Sequence, residues 1–244
     1  TESIVLKYFK EISEIPRASF NEEAVSNYVV DFAKARGLRY IQDEMKNVIV
    51  FKDASKGYED LPVVMLQSHL DMVAEKNKDS DHNFETDPIK LIEKDGILYA
   101  DNTTLGADDG AGVAYMLAIL DEGDAHPALE CVFTVEEETG LSGADFLDVS
   151  MLKATLCIGL DGSGETETYI SSSGGVRGLL ETDVAFEDFV SPTVKIAVRG
   201  LLGGHSGGEI DQERGNASKL AGIILKRAAK EFDLRLVAIE GGLK

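Results

Sequence analysis

The feature that most constrains this chain is the alternation of short apolar segments with helix-like segments over its first 160 residues. Near-continuous apolar runs, typical of buried parallel strands, lie at 61–66, 129–135 and 154–160. Between the first two runs, residues 110–121 form a mostly apolar segment that begins among glycines and has the length of a helix. Alternating strands and helices are typical of the α/β class. We therefore expect a mainly parallel sheet flanked by helices.

Local patterns predict further elements around this sheet. Apolar spacing predicts helices at 2–15 and 24–33. Ser19, with Glu22 three residues later, resembles a capping box at the start of the second helix. Asp95-Gly96 lies between two apolar runs and predicts a β-hairpin with a type I′ turn.

A second domain is expected to begin near residue 187, within a segment that contains Pro192 and separates two apolar runs. Apolar patterns near and beyond it predict strands at 176–184, 193–199 and 234–239, and a helix at 216–232. We therefore expect one domain over 1–187 and the start of a smaller α/β domain over 188–244.

The charge of the chain limits its partners. It contains 44 Asp and Glu residues against 24 Lys and Arg residues, a formal net charge of -20. Such a surface repels nucleic-acid phosphates and anionic lipid headgroups, whereas it suits metal ions and small zwitterionic or cationic substrates. We therefore expect neither a nucleic-acid partner nor a membrane partner.

No segment predicts export or membrane insertion. The first residues lack the basic-then-apolar pattern of a signal peptide, and no apolar run reaches the ~20 residues that cross a bilayer. The cysteines, Cys131 and Cys157, each lie in an apolar run, which favours reduced thiols packed in the core over a disulfide. These features predict a cytoplasmic protein.

Polar clusters follow the predicted strands or open the next helix, at positions that meet at one edge of a parallel sheet. The clusters are His69-Leu70-Asp71, Asp108-Asp109, Glu136-Glu137-Glu138 and Asp161. In open α/β sheets, ligands bind at the carboxyl ends of the strands. One histidine among several carboxylates has the composition of a metal site, because a buried group of acids otherwise requires costly protonation. The sequence therefore predicts a metal centre at this edge.

The chemistry of each side chain indicates a role. His69 offers a ring nitrogen to a metal, and Asp71 is placed to hold the other ring N–H and so orient the ring. Asp108 has two oxygens, one for each of two metal ions ~3.5–4 Å apart. One glutamate of 136–138 ligates while its neighbour stays free as a general base. The alternative is that these acids are helix caps and a solvated charge run of an ordinary α/β domain.

The other histidines divide into two kinds. His82 and His126 lie in polar or proline-flanked stretches and are interpreted as surface residues without a role. His205 is surrounded by four glycines in 203–208, which makes its imidazole closely approachable. It is a candidate site residue, with a loop histidine of no function as the alternative.

With these residues in place, the sequence resembles the M20 metallopeptidases, in particular the aminoacyl-histidine dipeptidase (Xaa-His dipeptidase, carnosinase-like) branch. The matching stretches are residues 66–73, 103–112, 134–140, 160–161 and 203–210. The resemblance implies a catalytic α/β domain, here 1–187, with a lid or dimerisation domain that begins within 188–244.

The resemblance also assigns roles to individual residues of this chain. It implies that the zinc ligands are His69, Asp108, Glu138 and Asp161, with Asp108 as the bridge between two ions. It implies that Asp71 orients His69, that Glu137 is the general base, and that His205 is a lid histidine that reaches the substrate carbonyl or its oxyanion. Glu136 has no assigned role.

The implied function is zinc-dependent hydrolysis of dipeptides, of the Xaa-His type, by a metal-activated water with Glu137 as base. Two zinc ions are implied per full-length enzyme, with Co or Mn as substitutes, and a small dipeptide as substrate. Because the lid histidine comes from a dimer partner in several relatives, a homodimer is among the expectations.

The length of the chain leaves alternatives open. In the family, a histidine far downstream completes the second zinc site, and this sequence ends before it. We therefore expect the N-terminal half of a longer enzyme. Hydrolysis of another M20 substrate, such as another dipeptide or an N-acyl amino acid, and a non-catalytic metal-binding or assembly fragment are the alternatives.

Overall fold

The computed structural model describes residues 3–123, 125–162, 164, 166–172, 174, 178–203 and 210–241. The chain divides into two compact units, Thr1–Thr168 and Tyr169–Lys244. The expected division into a catalytic domain over 1–187 and a lid from 188 stays a prediction.

The first unit begins with two helices and five strands, after which helices and strands alternate. In chain order they are α1 (Ile4–Ser13), α2 (Glu23–Ala35), β1 (Arg39–Gln42), β2 (Val48–Lys52), β3 (Val64–His69), β4 (Leu91–Lys94), β5 (Ile97–Ala100), α3 (Ala107–Asp121), β6 (Leu129–Thr134), α4 (Ser142–Phe146) and β7 (Leu156–Gly159).

Five of these strands form one sheet in the order β1-β2-β6-β3-β7. Strand β3 pairs in parallel with both β6 and β7, whereas β2 pairs antiparallel with β1 and β6. The register places His69 opposite Thr134 and Gln67 opposite Gly159, so that three parallel strands end at the same edge. The predicted α/β class, with helices flanking a mainly parallel sheet, is confirmed.

The core of the first unit lies between this sheet and helices α1, α2 and α3. Strand β6 is buried along its whole length. Helix α3 packs one side into this core, where Met116 and Leu117 are fully buried, whereas Tyr115 and Ile119 on its other side are exposed. The carboxyl ends of the parallel strands are therefore held in place by this core.

Several local predictions have clear outcomes. Asp95 and Gly96 join β4 to β5 with φ values of 54° and 76°, as a type I′ turn requires. The capping box is wrong, because the N-cap of α2 is Glu22 and makes no side-chain cap hydrogen bond. Strand β1 was not predicted, since its four residues alternate only weakly in hydrophobicity. The Ser19 hydroxyl instead donates to Asp71, and the Glu22 carboxylate accepts from the Glu136 N–H.

The cysteines differ in their surroundings. Cys131 in β6 is buried, in agreement with prediction, whereas Cys157 in β7 is exposed, and both are free. Of the described strands, only β3 pairs with β7, which leaves β7 at the edge of the sheet. The prediction that Cys157 packs in the core is therefore wrong.

Among the residues described in the second unit, the regular elements are a short 3₁₀ turn, Ile210–Gln212, and one α-helix, α5 (Ala217–Ala228). The predicted helix at 216–232 is confirmed with an earlier end, and its N-cap Asn216 accepts a hydrogen bond from the Lys219 N–H at 2.9 Å. The strands predicted within 178–184, 193–199 and 234–239 do not form. A strand pattern becomes a strand only when a neighbour pairs with it, and no such pairing occurs among the described residues of this unit.

Within the described part of the chain, no helix has both the length and the apolar composition needed to cross a membrane.

Candidate metal centre

His69 stands at the centre of the polar clusters because it is the last residue of β3, where three parallel strands end. Its ring is fully buried. Nδ1 donates a hydrogen bond to the backbone carbonyl of Asp71 at 3.0 Å, and it lies 3.3 Å from the Asp71 carboxylate. A carbonyl oxygen only accepts, so Nδ1 carries a proton and Nε2 is the nitrogen available to a metal.

Nε2 of His69 faces a group of carboxylates. It lies 3.0 Å from Asp108 Oδ1, 3.8 Å from Asp161 Oδ2 and 4.0 Å from Glu137 Oε2. Burial lowers the pKa of this imidazole, but the carboxylates, above all that of Asp71, outweigh burial and raise the pKa to about 10. The carboxylates around Nε2 thus favour a positive charge there, and a metal ion bound at Nε2 would take the place of its proton.

Asp71 ties the end of β3 to the loop that follows β6. Its Oδ1 accepts a hydrogen bond from the Glu137 N–H at 3.0 Å, and its Oδ2 accepts one from the Glu138 N–H at 3.2 Å. Burial by itself raises the pKa of Asp71, but hydrogen bonds from His69, Ser19 and the Glu137 backbone hold it below the ordinary value. Asp71 thus stays ionised and fixes both His69 and the glutamate backbone.

Asp108 comes from a different element, the first turn of α3. Gly106 precedes that helix with a φ of 72°, and Asp108 itself is extended, with φ -83° and ψ 110°. The Asp108 side chain is 72% exposed, so it reaches the cluster from the open side, whereas the ring of His69 approaches from the buried side. The peptide bond between Asp108 and Asp109 is cis.

Atoms able to bind a metal form two overlapping groups among the predicted site residues. In one group they belong to His69, Asp108 and Asp161, and in the other to His69, Glu137 and Glu138, with the atoms of each group within 4.8 Å of one another. Burial and the surrounding negative charges raise the pKa of Glu137, Glu138 and Asp161.

This donor set fits a divalent cation. One imidazole nitrogen with several carboxylate oxygens suits Zn²⁺, Co²⁺ or Mn²⁺. Burial, followed by the charges of neighbouring carboxylates, raises the pKa of Glu138 and Asp161, and a cation among these groups would offset both effects.

The structure thus brings together six residues that the sequence analysis singled out: His69, Asp71, Asp108, Glu137, Glu138 and Asp161. His205 lies outside the described residues. Among the described residues, neither His82 nor His126 belongs to a group of possible ligands. Glu136 has a φ of 53° and donates its backbone N–H to Glu22 Oε1 at 3.1 Å.

Four residues that support the site were missed by sequence reasoning: Arg17, Ser19, Glu22 and Asn47. Asn47 holds the loop after β6, because its Oδ1 accepts from the Val135 N–H at 3.0 Å and its Nδ2 donates to the Gly143 carbonyl at 2.9 Å. Asn47 and Val135 are 88 residues apart in the sequence. No spacing pattern links residues so distant, and the only local signal was a polar residue at the start of an apolar strand.

These features define a class, an α/β protein with a carboxylate-rich candidate metal centre at the end of parallel strands. Residues 65–218 match the sequence model of peptidase family M20/M25/M40, and the chain belongs to this family. The predicted resemblance to M20 peptidases is therefore confirmed.

The relatives and solved structures agree with this assignment. The chain is 40% identical over 237 residues to the cytosol non-specific dipeptidase of Escherichia coli (strain K12), a match that covers 96% of this chain and 49% of that protein. The crystal structure of aminoacylhistidine dipeptidase from Vibrio alginolyticus is similar with a TM-score of 0.69 and 33% identity, covering 97% of this chain and 49% of that one. A Staphylococcus aureus tripeptidase matches with a TM-score of 0.56 and 30% identity over 66% of this chain and 43% of its own. The chain thus spans about half the length of the first two proteins.

Proposed function

We propose that this chain carries the metal centre of a zinc-dependent dipeptidase that accepts Xaa-His dipeptides. The observation that carries the proposal is the orientation of His69, whose Nδ1 is held by Asp71 while Nε2 faces Asp108, Glu137 and Asp161. Membership of a peptidase family supports peptide hydrolysis, and the names of the E. coli and Vibrio proteins support a dipeptide substrate.

In this proposal, His69, Asp108 and Asp161 hold one zinc ion, and Glu138 with Asp108 contributes to the position of a second. Co²⁺ or Mn²⁺ are expected substitutes, because oxygen and nitrogen ligands accept all three ions. When bound, such ions lower the pKa of water and polarise the scissile carbonyl.

Glu137 is the proposed general base. Its carboxylate lies beside the ligand cluster, with Oε2 4.0 Å from His69 Nε2, and its backbone is fixed by Asp71. Burial and neighbouring acids raise its pKa, which makes the carboxylate a stronger proton acceptor. Oε2 takes a proton from the attacking water and returns it to the leaving amine, a role that typically contributes about 10²–10⁴-fold.

Other parts of the proposal concern regions beyond the described site. His205 is proposed to donate to the oxyanion, a contribution of ~10²–10³-fold for donors of this kind. Residues 1–187 are proposed as the catalytic domain and 188–244 as the start of a lid or dimerisation domain, with a homodimer as the assembly. The cytosolic relative supports a cytoplasmic location.

The decisive experiment is Glu137→Gln in the whole protein, assayed on a Xaa-His dipeptide with the zinc content measured in parallel. We expect kcat to fall at least about 100-fold while the zinc content stays unchanged, because the amide cannot accept the proton. Glu136→Gln is the matched control and should retain activity. Activity of Glu137→Gln within about tenfold of the wild type would show that the assigned base is wrong.

A further inference from the structure

Arg17 is a fully buried cation directly behind the candidate metal centre, and neither the sequence pattern nor the proposed mechanism uses it. Its side chain is only 2% exposed. Nη1 donates to the backbone carbonyls of Leu70 at 2.9 Å and Asp71 at 3.3 Å, and Nη2 donates to the carbonyl of Gly106. One guanidinium thus joins the turn after β3 to the turn before α3.

These two turns adjoin the proposed ligands His69 and Asp108, which are 39 residues apart in the sequence. Burial lowers the pKa of Arg17 to about 10, opposed by the charges of Asp71, Asp109 and Asp108. Arg17 therefore remains a cation near neutral pH, and its hydrogen bonds are charge-assisted.

The backbone around Arg17 is shaped to admit it. A Cβ atom at Gly106 would lie 2.6 Å from Nη2, and a Cβ atom at Gly110 would lie 2.5 Å from the same nitrogen. Any larger residue at these positions would displace the guanidinium. The glycines on either side of Asp108 and Asp109 thus make room for a buried arginine as well as for a tight turn.

The residues that follow Arg17 extend the same contact. The Arg17 carbonyl accepts a hydrogen bond from the Met72 N–H at 3.1 Å, and the Ser19 Oγ donates to Asp71 Oδ2 at 2.8 Å. Glu22 Oε1 accepts from the Glu136 N–H at 3.1 Å, beside the glutamates that follow β6. Segment 17–22 therefore contacts three of the loops that form the site.

We propose that Arg17 and Ser19 are positioning residues of the metal centre, which hold the ligands His69 and Asp108 and the orienting residue Asp71 in place from the buried side. This inference rests on the proposed metal-dependent function. Arg17 sets the separation of the two ligand-bearing turns, and Ser19 orients the carboxylate that in turn orients the His69 ring. Removal of such partners of ligands typically weakens metal binding about 10–100-fold.

The first test uses Arg17→Lys and Arg17→Met in the full chain, with zinc affinity measured by competition with a chelating dye. The visible absorption of the Co²⁺-loaded protein reports the ligand geometry separately. We expect both variants to bind zinc about 10–100-fold more weakly, with an altered Co²⁺ spectrum. Lysine is expected to rescue little, since a single ammonium does not reproduce the fork that reaches three carbonyls.

The matched control is Arg36→Met. Arg36 also contacts three groups, Asp121, Tyr8 and the Phe32 carbonyl, none of which belongs to the metal centre. Its removal should lower the thermal unfolding temperature while zinc affinity and the Co²⁺ spectrum stay as in the wild type. A loss of zinc affinity equal to that of the Arg17 variants would show that general destabilisation is the cause and overturn the proposal.

The second test covers the case in which the Arg17 variants fail to fold. Ser19→Ala removes only the hydroxyl that donates to Asp71, whereas Ser19→Thr keeps a hydroxyl at the same place. We expect about tenfold weaker zinc binding for Ser19→Ala and recovery for Ser19→Thr. Wild-type affinity and an unchanged Co²⁺ spectrum for Ser19→Ala and for every Arg17 variant that folds would refute the positioning role.

His69→Ala separates this inference from the function on which it depends. If His69→Ala loses zinc binding while the Arg17 and Ser19 variants keep it, the metal centre stands and the positioning role fails. If His69→Ala also binds zinc like the wild type, the metal centre itself is misassigned and both proposals fail.

Discussion

Val132 in β6 and Val194 in the second unit both lie in apolar segments that predict strands, yet they are 2% and 80% exposed. Val132 belongs to a strand that is paired on both sides, by β2 and β3. Val194 lies in a range, 193–199, in which no strand forms. Similar local sequences thus have different surroundings, and burial is a property of those surroundings.

The same contrast extends over the whole of both units. The first unit contains the core and the buried ligand His69, whereas none of the described residues in 169–241 is buried. A site that needs fixed distances between charged groups requires a packed support, because mobile groups lose the geometry of ligation. This explains why the candidate ligands lie on the first unit, and it predicts that matched substitutions will have unequal effects in the two units.

The largest difference is expected for phenylalanine. Phe133 in β6 is fully buried, so Phe133→Ala should reduce the free energy of unfolding by about 3–5 kcal/mol. Phe186 is 94% exposed, and Phe186→Ala should change the free energy of unfolding by less than about 0.5 kcal/mol. Urea denaturation followed by circular dichroism measures both. Equal losses would show that the second unit buries Phe186 in solution and would remove the contrast.

Glycine substitutions should differ in sign as well as in size. A Cβ atom at Gly143 in α4 would overlap the Val135 carbonyl oxygen and lie 2.7 Å from Asn47 Oδ1, so Gly143→Ala should destabilise by about 1–3 kcal/mol. At Gly222 in α5, nothing lies within 4 Å of the added atom. Gly222→Ala should therefore stabilise the helix by roughly 0.5–1 kcal/mol.

The readout for the glycine pair is the thermal unfolding temperature together with zinc affinity. Gly143→Ala is expected to weaken zinc binding, because it displaces the loop that leads from β6 to Glu137 and Glu138, whereas Gly222→Ala leaves binding unchanged. Stabilisation by Gly143→Ala would contradict the packing described for this loop.

The smallest effect concerns pH and the contacts among three helices of the first unit. Asp121, at the end of α3, accepts hydrogen bonds from Arg36 at 2.6 Å and from the Tyr8 hydroxyl at 2.5 Å. The Arg36 bond, followed by that of Tyr8, holds the pKa of Asp121 below its usual value of 3.8. Because the folded state binds this proton less tightly than the unfolded chain, Asp121 stabilises the fold above the usual pKa. That stability is lost as the pH falls through the lowered value.

Asp121→Asn tests this effect. The variant should lose less stability than the wild type between about pH 5 and pH 3, by up to about 1 kcal/mol, since the pair is partly exposed. Guanidinium titrations at several pH values provide the comparison. Parallel stability curves for the two proteins would show that Asp121 makes no ionic contribution.

Much of the candidate site was predictable because its ligands follow strands. His69 ends β3, Glu137 and Glu138 follow β6, and Asp161 follows β7, so an apolar run precedes each of these residues, whereas Asp108 lies in the first turn of α3. Parallel pairing then brings the strand ends together, and the clustering of these residues agrees with the prediction. Their roles as ligands, orienting residue and base stay proposals.

The support behind the ligands was not predictable in this way. Arg17 and Ser19 follow α1 without any periodic signal, and Ser19 with Glu22 had the spacing of a helix cap. The Ser19 side chain instead bonds to Asp71, 52 residues further along the chain, and the Glu22 side chain bonds to the Glu136 backbone, 114 residues further along. Local spacing cannot distinguish a helix cap from a long-range contact, since the same hydroxyl or carboxylate can form its hydrogen bond in either way.

The amino-acid sequence by itself determined the α/β class, the strand-end positions of the candidate ligands and the type I′ turn at Asp95-Gly96, because each depends on local periodicity or local backbone preference. Only the tertiary structure decided that Arg17 is enclosed, that Cys157 is exposed and that 193–199 does not form a strand. The physical reason is that burial, strand pairing and long-range hydrogen bonds depend on which distant segment packs against a residue. The local sequence around that residue does not specify this segment.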